Sequence, residues 1–181
     1  MNTIQTACGR PNRPGRVICF LVISLMSGGS VAAPLLPNRE PTGELLSLRE
    51  LQELELQLDF AGPGAPLLKA RRDATTKRMA KLLIDDGDLD IAGKAGPARL
   101  HLLVMTDTNA DHPNLISYAL HLSIEQYVVV ERIDQRVFAP TYGLVKVGFT
   151  AKTRLAEEID KLLPSMIRHF LSRRQAADEL E

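Results

Sequence analysis

Tryptophan is absent, and aromatics are scarce: three tyrosines and five phenylalanines in 181 residues. Single-stranded nucleic acid is held on aromatic platforms beside basic side chains, and this chain has little to build one from. Cysteine is nearly absent too. The only two, Cys8 and Cys19, fall in the first 32 residues. A chain without that segment has no disulfide, no thiol nucleophile, no zinc ribbon and no iron–sulfur ligation. Charge of one sign is not in excess, with 22 basic and 22 acidic residues. Long apolar runs are missing as well. The longest, VICFLVISLM at 17–26, is about ten residues, against the roughly 20 needed to span a bilayer.

That short run has a different reading. Arg10, Arg13 and Arg16 precede it without an acidic residue, and the small residues SGGSVAA follow it. A positive start, an apolar middle and a small-residue end form a secretory signal peptide. Cleavage after Ala32 places Ser30 and Ala32 at the two small-residue positions. The expectation is export to the periplasm or the medium, with no membrane span after cleavage. Losing three arginines from the 22 basic residues leaves 19 against 22 acidic ones, a net charge of −3. That is an ordinary soluble surface, and it gives no argument for binding nucleic acid.

About 149 residues then remain, enough for one core. Residues 33–52 include PLLPNREPTGE and read as an irregular lead-in. Leu54, Leu56, Leu58 and Phe60 alternate with Glu55, Gln57 and Asp59, which predicts a half-buried strand over 53–60. AGPGAP at 61–66 is a turn by composition. APLLKARRDATTKRMAKLLI predicts a helix with Leu68, Thr75, Met79 and Leu82 along one face. DDGDLDIAGKAGP at 85–97 reads as a loop with a short edge strand.

Three strands are expected at 98–106, 115–131 and 137–149, with a hairpin at 133–136. In the second, Ile116, Tyr118, Leu120, Leu122 and Ile124 alternate with Ser117, Ala119, His121, Ser123 and Glu125. Pro140 and Gly143 mark the third as an edge strand or a bulged one. Leu155, Ile159, Leu162, Met166 and Phe170 make the apolar stripe of a long final helix, which Pro164 is expected to kink. Residues 172–181 read as a charged, fraying tail. The order is strand, helix, three strands, helix. It predicts one α+β domain over 53–171: an antiparallel sheet of about four strands, with two helices on one face.

APTYGLVKVGF running into TRLAEEIDKLLPSMIRHFL resembles the close of a group of small exported bacterial proteins of unassigned function. The likeness spans roughly 55 to 171 and is structural. It implies a long hairpin leading into a final amphipathic helix, and it brings no catalytic residues. Pro164 departs from the pattern.

MTDTNADHPN at 105–114 is the stretch that most resembles a metal site, with Asp107, Asn109 and Asp111 at calcium-loop spacing. Such a loop needs Gly at position six and Glu at position twelve. His112 and Tyr118 stand there instead, so a turn between strands is the simpler reading. DDGDLD fails the same test at Ile91 and Pro97. GKAG lacks the phosphate-loop frame, and no serine sits in a nucleophile elbow. His101 and His121 fall on neighbouring strands without ligand spacing. No cofactor is called for. KARRDATTKR at 69–78 concentrates positive charge, and Arg71, Arg72 and Lys77 are its candidate contacts for an acidic partner.

Three functions stay open on this reading. The first is a non-enzymatic exported domain that binds an envelope protein or surface component. The second is a metal-dependent hydrolase using Asp107, Asp111 and His112, with His121 as a fourth ligand. The third is a structural subunit of a homo-oligomer, using its sheet face or edge.

Overall fold

The computed structural model describes residues 43–93 and 96–180. The expected signal peptide lies outside the described residues, as does the first part of the lead-in.

Gly43–Leu46 form a single helical turn, α1. Strand β1 runs Glu53–Ala61, and helices α2 (Ala65–Lys69) and α3 (Arg72–Gly87) follow. Strand β2 is Asp90–Ile91 and β3 is Ala98–Asp107. The hairpin strands β4 (Leu115–Val130) and β5 (Gln135–Ala151) come next, and helix α4 spans Leu155–Asp178. The sheet order is β2-β1-β3-β4-β5.

The architecture is α+β in two layers, with helices against one sheet face. The sheet differs from the expectation in two respects. It has five strands, because Asp90 and Ile91 add a short parallel rung to β1 at Glu53 and Leu54. It is also mixed: β1 runs parallel to β3, and only β3, β4 and β5 form an antiparallel meander. The cause is the link. The chain between β1 and β3 crosses the sheet through helices α2 and α3, and such a crossover returns a strand in the parallel sense.

The period-two pattern decides the layers. Leu54, Leu58, Leu100, Leu102, Val104, Ile116, Leu120, Leu122 and Ile124 are buried beneath the helices with Met79, Leu83, Ile159, Leu163, Met166, Ile167 and Phe170. On the final helix Leu163 is fully buried where the expected stripe placed Leu162, which packs at the margin. The expected single helix over 65–84 is two, parted at Arg71, whose guanidinium lies 2.9 Å from Asp160.

The β1–α2 turn shows why its residues are what they are. Gly62 has φ +84, and a Cβ there would run into the Thr106 carbonyl oxygen. Thr106 Oγ1 accepts from the Gly64 amide at 2.8 Å and donates to the Ala61 carbonyl at 2.9 Å. At the other end of the crossover, Asp88 (φ 48) takes the left-handed conformation that stops α3.

Both ends of the described chain are tied in. Leu48 and Leu51 are buried. The Glu50 amide donates to Asp178 Oδ1 at 2.9 Å, and Gln126 Nε2 donates to the Ser47 carbonyl at 2.9 Å. The final helix therefore continues past residue 171. Arg174 donates to the Gly87 carbonyl at 2.6 Å, and Ala177 is fully buried.

Candidate functional site

Helices cover one face of the sheet. The odd-numbered residues of β1, β3 and β4 point to the other, which no described element covers. Register turns them into rows. Glu55, Arg99 and Glu125 lie side by side across three strands. The next row holds Gln57, His101, Ser123 and Gly143.

These rows form a charge ladder. Arg99 lies 3.4 Å from both Glu55 and Glu125. His101 Nε2 is 3.1 Å from Asp59 Oδ2, and its Nδ1 is 3.4 Å from Glu125 Oε1. Gln57 donates to Asp59 Oδ2 at 2.6 Å. That hydrogen bond, helped by His101 and Arg72 and opposed by partial burial, holds the Asp59 carboxyl below its ordinary range. Each charged member thus has an opposite neighbour within the chain. Half-exposed pairs of this kind position one another more than they stabilise.

Towards the β3 and β5 ends the same face turns apolar. Val147 is 76% exposed and Phe149 77%, beside Met105, Ala119 and Val145. Met105, Ala119, Val147 and Phe149 border a shallow trough of about 560 Å³, whose rim includes Asp107 and Ser117. Beneath it Tyr118 lies across Gly148, where a Cβ would come within 2.5 Å of the phenol oxygen. Burial, and secondarily Glu158, raises the Tyr118 phenol above its usual value.

At the opposite end, towards the hairpin tip, Tyr127 and Phe138 pack edge to face, 5.0 Å between centroids. Arg136 sits 4.4 Å over the Tyr127 ring and Arg99 5.2 Å over Phe138. A bulge lies between, where Ile124 pairs with Tyr142 but Glu125 with Pro140. The extra residue, Thr141, shifts the alternation of β5 by one. Phe138 and Arg136 thereby share a face with Val145, Val147 and Phe149.

The stretch 105–114 is a turn. Asn109 Oδ1 accepts from the Asp111 amide at 2.9 Å, Asp107 Oδ1 from Thr108 at 2.8 Å, and the Asn109 carbonyl from His112 at 3.2 Å. His121 lies on the open face, in the row of Leu103 and Val145, away from that turn. Among the described residues, no three His, Cys, Asp or Glu side chains come together as a metal site. On the basic helix, Arg71 is committed to Asp160, while Arg72 lies 3.7 Å from Asp59 and 5.5 Å over the Phe60 ring. Lys77 is exposed.

Glu55, Asp59, Arg99, His101 and Glu125 were not legible as a group. The signal was present as polar residues at alternate positions. Which of them meet depends on strand register, and the parallel pairing of β1 with β3 sets that register.

No helix among the described residues is long and apolar enough to cross a membrane. No family model matches the chain, and no curated protein does. Two solved structures are loosely similar to it. One is a minor lipoprotein from Acinetobacter baumannii, 17% identical, with TM-score 0.38, over 68% of this chain and 95% of that one. The other is described as a neuraminyllactose-binding hemagglutinin homolog from Helicobacter pylori. It is 8% identical, with TM-score 0.41, over 81% of this chain and 96% of that one.

Proposed function

We propose that this chain is an exported, non-enzymatic binding or assembly domain whose working surface is the open face of its sheet. Residues 1–32 direct export on this reading, and the domain that follows acts in the periplasm or outside the cell. The observation that carries it is the exposure of Val147 and Phe149 on a face that no described element covers. A soluble chain leaves contiguous apolar surface bare chiefly where something else covers it. The basic helix is a weaker candidate, because Arg71 and Arg72 are engaged within the chain.

Photo-crosslinking tests this reading. A crosslinking side chain is placed at Val147, Phe149 or Lys77 in turn, and the living cell is irradiated. The expected result is a covalent adduct with another polypeptide from the two sheet positions and none from Lys77. Adducts from Lys77 alone would move the binding surface to the basic helix and overturn the proposal.

A further inference from the structure

The open face is chemically divided along the strands. At one end lies the apolar trough of Ala119, Val147 and Phe149, and at the other the projecting Tyr127–Phe138 pair. The charge ladder lies between them. From Ala119 to Tyr127 along β4 is about 27 Å at strand rise. A knob and a hollow are thus placed about a common midpoint near Ser123.

A surface of that kind fits itself. Turning one copy about an axis that crosses the strands at Ser123 lays row 127 over row 119 and row 129 over row 117. We propose that a second copy of this chain covers the open face in this way. The Tyr127–Phe138 pair of each copy then seats in the Val147–Phe149 trough of the other, with Arg136 over the other copy's Phe149. This is an isologous interface, in which each contact is made twice. It rests on the binding role proposed above and names the partner.

Area and charge agree with it. The four long strands have nine, ten, 16 and 17 residues, and at strand spacing their open face offers roughly 800 Å². That matches the share of one partner in a standard interface, also about 800 Å². Arg99 pairs Glu55 and Glu125 within the chain and Arg72 pairs Asp59, so the ladder does not present a row of unpaired carboxylates to a second copy. The free edge of β5 is the poorer contact. It carries Pro140, the Thr141 bulge and Lys146, features that resist strand addition.

Sedimentation equilibrium of the full-length protein, from about 1 to about 100 µM, decides it. The expected species is a dimer. Val147→Lys and Tyr127→Lys should each weaken it roughly 30-fold or more, as central apolar contacts do. Thermal melting checks that each variant is folded; where a lysine variant is not, Phe149→Ser replaces it. A monomer throughout the range overturns the proposal. If that monomer still crosslinks from Val147 to a different polypeptide, the binding role stands with another occupant. If it crosslinks to nothing, both readings fall. A dimer indifferent to Val147→Lys, Tyr127→Lys and Phe149→Ser overturns the proposed face.

Discussion

Thr106 is a buried hydroxyl whose two partners both lie in the β1–α2 turn, the Gly64 amide and the Ala61 carbonyl. Thr106→Val keeps the shape and removes the oxygen. It leaves two polar backbone groups without that partner at a buried position, where one unsatisfied group costs about 1–3 kcal/mol. Urea unfolding should show a loss in that range, and a change below about 0.5 kcal/mol would mean that water replaces the hydroxyl. Asp59 makes a pH prediction. Its carboxyl is held low, first by Gln57, so its charged form is favoured by the folded state. A depressed folded value gives stability that is fully present above the ordinary carboxylate range. That contribution is lost as pH falls through the lowered value. Asp59→Asn should therefore flatten the acid limb of a melting-temperature profile. Asp59 is substantially exposed, so solvent screens the effect and it should be small.

Elements were legible wherever one period ran unbroken. Leu54, Leu56, Leu58 and Phe60 announced β1 by alternation, and Ile116 to Ile124 announced β4. Leu155, Ile159, Met166 and Phe170 announced α4, which runs on through Pro164. Pairing was not legible in the same way. Nothing local in ELELQLDF says whether its neighbour runs parallel, so the charge ladder stayed hidden with the register. Leu48 and Leu51 show another limit: a loop of ordinary composition becomes core when a helix end closes over it. The bulge was only half visible, as Pro140 beside Gly143, yet it decides which face the aromatic pair occupies. Deleting Thr141 should remove the bulge and leave Phe138 opposite Tyr127 on the open face, because Pro140 then directly precedes Tyr142 in unbroken alternation. The nuclear Overhauser contacts between the Tyr127 and Phe138 rings should persist, as should those between Ala119 and Val147. Loss of the ring contacts in the deletion variant would mean that the hairpin tip slips to another register when the extra residue is gone.

The described unit is a sheet with one face sealed by helices and one that no described element covers, and the seal depends on both ends of that unit. Helix α4 lies along the covered face, and the segment 43–52 closes over its C-terminal half. Leu48 is fully buried there, with Tyr142 and Phe170 in the same core and in ring contact 5.8 Å apart. Asp178 holds the Glu50 amide, where the backbone takes φ 58, and Arg174 spans from Asp178 to the end of α3. The segment is therefore a part of the fold and not a passenger leading into it. Leu48→Ala tests this. A leucine truncated in a packed core costs about 2–5 kcal/mol, whereas the same change in a loose lead-in costs well under about 1 kcal/mol. Denaturant unfolding should show the larger loss in one cooperative transition. A small loss, or a separate early transition for 43–52, would show that the segment docks on a core already complete without it. The open face makes the contrast. Val147→Ala removes exposed methyl groups and should leave the stability of a monomer nearly unchanged. A melting temperature that depends on protein concentration in the parent, and no longer does so in Val147→Ala, would tie that face to assembly and not to folding.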